Sequence, residues 1–114
     1  MFKKLKEYLR RLLERIFGRR RHRFLIECML EEPEQIELFR VYVLGEEGYE
    51  WTAVFVCPCG CGHVIRLNLL EGGNRPTWRV SHDPRKFVTV HPSVWRHVGC
   101  ASHFIIRDGL AHWC

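Results

Sequence analysis

Three thiols fall within five residues in the segment Cys57-Pro58-Cys59-Gly60-Cys61-Gly62-His63. No other stretch restricts the fold so tightly. Alternating cysteines in a glycine turn make a poor hydrophobic core, whereas structural zinc takes four tetrahedral ligands drawn mostly from cysteine and histidine. Thiolates suit zinc better than magnesium or calcium, which prefer oxygen. The usual ferredoxin spacings for an iron–sulfur cluster are absent. Glycine after Cys59 and after Cys61 tolerates the sharp turn of a metal knuckle and lets backbone N–H groups approach the sulfurs. The segment therefore marks a reversal between a strand ending at Val56 and one starting at Val64.

The other half of such a site should be distant in sequence, and Cys100-Ala101-Ser102-His103 fits that role. The candidate ligands for Zn2+ are thus Cys57, Cys59, Cys61, Cys100 and His103, one more than a tetrahedral site needs. We rank Cys59, Cys61, Cys100 and His103 ahead of Cys57, with Cys114, His112 and His63 in reserve. Cys28 lies mid-strand among apolar neighbours and reads as a small core residue.

The rest of the chain reads as short strands after one helix. Phe2, Leu5, Leu9, Leu12, Leu13, Ile16 and Phe17 recur at three- and four-residue steps, which predicts an amphipathic helix over 2–18. Strands are expected at 24–30, 38–44, 51–56, 64–70, 78–81, 87–90, 104–106 and 110–113, with Gly45 to Gly48 as one hairpin loop and Asp108-Gly109 as a tight turn. In 64–70, Ile65, Leu67 and Leu69 alternate with Arg66 and Asn68. The expected fold is mainly β with one N-terminal α-helix: a small zinc-stabilised antiparallel sheet domain over 24–114, preceded by a basic amphipathic helix and arm over 1–23.

Charge divides the chain at the same place. Residues 1–23 hold ten Lys or Arg against two Glu, net +8, while 24–114 hold eight basic and eleven acidic residues, net −3. The acidic body argues against a broad nucleic-acid footprint. The helix over 2–18 suits its own sheet, a partner protein or an anionic membrane surface. No run approaches the ~18 apolar residues of a spanning helix, and Arg10, Arg11, Glu14 and Arg15 break up any signal-peptide apolar region. A cytoplasmic location is expected, where cysteines serve metal or catalysis rather than disulfides.

The order of motifs is also familiar. Cys57-Pro58-Cys59-Gly60-Cys61-Gly62, Trp78, Val88-Thr89-Val90-His91-Pro92-Ser93-Val94, Cys100-Ala101-Ser102-His103-Phe104-Ile105-Ile106 and Trp113 follow one another. Over 24–114 this resembles the bacterial domain of unknown function 6527. That resemblance implies a small zinc-binding protein, often encoded beside ubiquitin-like proteins and their conjugating enzymes. Two departures from the family pattern stand out: Trp95-Arg96-His97 replaces a glycine–asparagine continuation, and His63 replaces an acidic or small residue.

Three functions follow. The first is a peptidase, a deubiquitinase-like hydrolase that processes or removes the ubiquitin-like modifier, for which Ser102, His103 and Ser93 are the candidate catalytic residues. Ser102 and His103 are sequence neighbours and face opposite ways if extended, so Ser93 or Ser102 must meet a histidine from another strand. His63, His91, His97 and His103 are available. If His103 were the base, zinc would fall to Cys57, Cys59, Cys61 and Cys100. The second is a non-catalytic, ligase-like adaptor that docks the conjugating enzyme or target, with Trp95 and Trp51 as interface anchors against core packing for Trp51 and Trp78. The third, nucleic-acid binding through the cationic arm, ranks last.

Overall fold

A computed structural model describes residues 4–9, 23–97 and 99–114. Residues 4–9 are helical and exposed throughout. The remainder of the expected helix over 2–18 lies outside the described residues.

Eight strands follow: β1 Leu25–Met29, β2 Arg40–Glu46, β3 Tyr49–Val56, β4 Val64–Asn68, β5 Arg79–His82, β6 Val88–Trp95, β7 His103–Arg107 and β8 Leu110–Trp113. They form two four-stranded sheets, ordered β1-β2-β3-β4 and β5-β6-β7-β8. Pairing is antiparallel except between β1 and β2, which run parallel. The β2–β3 hairpin closes more tightly than expected, with Tyr49 already paired to Glu46. Asp108 and Gly109 both take positive φ, 51° and 80°, as a primed two-residue hairpin turn requires. β6 runs well past the expected 87–90 and continues through Pro92 to Trp95. Proline removes a ladder donor and is tolerated where pairing is irregular, and the β6–β7 register shifts between Val90 and Val94.

Alternation along the strands selects the core. Val41, Val43, Ala53, Phe55, Ile65 and Leu67 of the first sheet pack with Val88, Val90, Val94, Phe104 and Ile106 of the second. Phe55 meets Phe104 edge-on, with centroids 6.3 Å apart. The alternate residues Tyr42, Leu44 and Val54 form a second cluster on the other face of the first sheet, covered by Met29, Ile36 and Trp51. Arg66, on that outward face, grips Glu32 with two hydrogen bonds of 2.8 and 3.0 Å, tying the β1–β2 connection to β4. The sheets are also joined at one edge, where Phe24 donates to Gly109 O, and Val88 N donates to Phe24 O.

Cys28 departs from expectation. It is exposed, because the core takes Phe24, just before β1, and Ile26 within it, and position 28 lies toward the end of an edge strand. Among the described residues, no helix is long and apolar enough to cross a membrane.

Candidate metal centre and serine–histidine pair

Strand parity carries Cys57 inward. It continues the inward series Ala53 and Phe55 one step past the end of β3 and is only 1% exposed. Its N–H donates to His63 O at 2.8 Å, extending the β3–β4 ladder by one rung and closing the loop that holds Cys59 and Cys61. Gly60 and Gly62 take φ of 92° and 80°, a backbone that residues with a Cβ rarely adopt. These turns bring Cys61 N within 3.3 Å of Cys59 Sγ.

Cys100 approaches from the β6–β7 connection of the other sheet. The sulfurs of Cys57, Cys59, Cys61 and Cys100 all lie within 4.8 Å of one another. Cys57 Sγ stands 3.4 Å from Cys59 Sγ and 3.7 Å from Cys100 Sγ. Sulfurs bound to one tetrahedral zinc at about 2.3 Å stand about 3.8 Å apart. The four residues therefore fit a divalent, thiophilic metal that would join a turn of one sheet to a turn of the other.

The thiols are not equivalent. Burial pushes Cys57 up to about 12. Cys100 is drawn down to about 6, chiefly by hydrogen bonds from the Ser102 side chain and backbone. Cys59 is also lowered, first by the Ser102 side chain and then by Cys61 and Cys57. Ser102 thus faces the sulfurs. Arg96 caps the cluster, with Nη1 3.6 Å from both Cys61 Sγ and Cys100 Sγ, while Nη2 lies 2.9 Å from His63 Nδ1.

His103 stands apart from the four sulfurs. Its Nε2 is 2.9 Å from Ser93 Oγ. Trp95 pairs with His103 across β6 and β7, and their rings stack with centroids 5.1 Å apart and planes 16° apart. Val94 and Phe104 point into the core, so Ser93, Trp95 and His103 share the outward face of the second sheet. Trp78 Nε1 donates to Ser93 O at 3.3 Å, holding the serine backbone from β5's side. Trp95 is 58% exposed and also contacts His97, with centroids 4.4 Å apart.

The structure therefore gathers Cys57, Cys59, Cys61 and Cys100, and turns His103 to Ser93 instead. Cys57, ranked last in sequence, belongs with the sulfurs because its strand parity aims it inward. Sequence reasoning does not reach Arg96 as a neighbour of the sulfur cluster; its one signal is an unexpected basic residue between Ser93 and Cys100.

No curated protein and no solved structure matches the chain. A family model does, though under a label other than domain of unknown function 6527, and what it supports is a place in a bacterial ubiquitin-like pathway. By that match over residues 28–114, this chain belongs to the family described as bacterial ubiquitination-like system serine protease (BubE).

Proposed function

We propose that this chain is a serine peptidase that processes or removes a ubiquitin-like modifier, with Ser93 as nucleophile and His103 as general base. The observation that carries this reading is the 2.9 Å contact between Ser93 Oγ and His103 Nε2, half-buried on the outward face of the second sheet. It lies within the hydrogen-bond reach that a base needs to take a hydroxyl proton. His103 Nε2 accepts the proton as Ser93 Oγ attacks the carbonyl at the modifier's C-terminal junction. It then returns the proton to the departing amine, leaving an acyl-enzyme that water hydrolyses. The stacked Trp95 ring fixes the imidazole plane during both transfers. Ser102 is assigned to the sulfurs, not to the reaction.

Zinc at Cys57, Cys59, Cys61 and Cys100 supplies cross-linking of the two turns when bound, since a site filled by four thiolates is closed to substrate. The motifs behind the resemblance to domain of unknown function 6527 are the same ones that build these two sites, and we read both labels as describing one motif set. The protein acts in the cytoplasm beside the conjugating enzymes, through the β domain over 24–114, on which Arg23 packs against the Phe87 ring and donates to Asp108 O.

The test is cleavage of a modifier precursor carrying a C-terminal extension, together with labelling by a fluorophosphonate. Wild type should cleave and label, and Ser93→Ala should do neither. Cleavage that persists in Ser93→Ala and in His103→Ala would remove the serine mechanism. Retention of a conjugating enzyme by wild type and Ser93→Ala alike, with no turnover by either, would favour the adaptor reading, to which the exposed Trp95 also lends itself.

A further inference from the structure

Arg96 occupies the ground between the two sites. It follows Trp95 at the end of β6, and its own N–H donates to Ser102 O at 2.8 Å, one residue before His103. Its guanidinium reaches the sulfurs of Cys61 and Cys100 at 3.6 Å and His63 Nδ1 at 2.9 Å. Arginine only donates, so His63 Nδ1 is the acceptor in this contact.

Building on the reading that the four sulfurs hold zinc, we propose that Arg96 is a positioning residue: its guanidinium neutralises the thiolates, and its backbone couples that site to the Ser93–His103 pair. Four thiolates around a divalent ion leave a doubly negative site. Two of its cysteines, Cys59 and Cys61, are exposed, so competing water and protons have access to them. A planar, weakly hydrated fork can donate to two sulfurs and a histidine at once; a lysine ammonium is a point charge without that reach. The same residue lies between Trp95, which stacks on His103, and Cys100, which precedes His103 by three positions. Loosening of the guanidinium from the sulfurs is thereby felt at both ends of the segment that carries the base.

The experiment uses the full chain loaded with zinc, titrated against a chromophoric chelator, with Arg96→Met and Arg96→Lys as variants. Arg96→Met should weaken zinc binding by about 10- to 100-fold, the range typical of lost outer partners of metal ligands. Arg96→Lys should recover part of that loss, because the charge returns without the fork. At saturating zinc, fluorophosphonate labelling of Ser93 should be slower in Arg96→Met than in wild type. Zinc affinity equal to wild type in a folded Arg96→Met overturns the role of Arg96 alone. A wild type that binds no zinc overturns the metal reading and this inference with it. Should Arg96→Met fail to fold, cobalt-substituted Arg96→Lys decides. A sulfur-to-cobalt absorption displaced from wild type supports the inference, and a superimposable spectrum overturns it.

Discussion

The four-sulfur cluster and the Ser93–His103 pair share one segment of chain, yet different physics assembles them. The cluster draws three of its four members from a single loop, Cys57, Cys59 and Cys61, where glycine turns and short-range spacing do most of the placing. The pair joins residues of two strands, and only the β6–β7 register sets Trp95 opposite His103 and so puts the serine within reach of the ring. A local site advertises itself in sequence; a register-dependent one does not. The cluster also bridges turns of the two sheets, whereas the pair lies half-buried on the outward face of one.

This contrast predicts effects of different size and kind. The largest belongs to the pair: Ser93→Ala should lower kcat for modifier processing by about 10^4- to 10^6-fold, as for other serine nucleophiles. His103→Ala should cost nearly as much, and the double variant should be no worse than either alone. Additive losses in a kinetic assay would mean that the two residues do not act as a unit.

Next comes the cluster. Cys100→Ser should weaken zinc binding by about 100-fold or more and also slow labelling of Ser93, because Cys100 anchors the segment leading into His103. The exposed Cys28→Ser should change neither chelator competition nor labelling. If Cys100→Ser labels at the wild-type rate, the two sites are independent, and the comparison becomes one of separate modules.

A smaller effect is expected at Trp95. Removing the stacked ring in Trp95→Ala should lower kcat by about tenfold, the kinetic equivalent of a stacking contact of about 1.4 kcal/mol, while Trp95→Phe should keep most of it. Zinc affinity should stay unchanged in both. The smallest effect is that of His63→Ala, which removes one hydrogen-bond acceptor of Arg96 and should weaken zinc by about fivefold at most. A larger loss, seen in chelator competition, would make His63 a ligand in its own right.

The divide between what the sequence and the fold each supplied follows the same lines. Alternation in Ile65, Leu67 and Leu69, the Asp108-Gly109 turn and the thiol knuckle could all be read along the chain, because each rests on contacts between near neighbours. The extension of β6 through Pro92 could not, since proline normally ends a strand and only an irregular partner register accommodates it. Cys28 was misplaced for a related reason: its neighbours are apolar, but exposure depends on where an edge strand meets the other sheet.

By itself, then, the sequence determined that this is a β domain with a cysteine cluster built around the Cys57–Cys61 turn, because side-chain period and cysteine spacing act over a few residues. Tertiary structure alone decided that Cys57 joins Cys100 while His103 turns to Ser93. Which side of a strand a residue occupies is fixed by pairing with residues far along the chain. A shift of one position in that pairing would exchange the two faces.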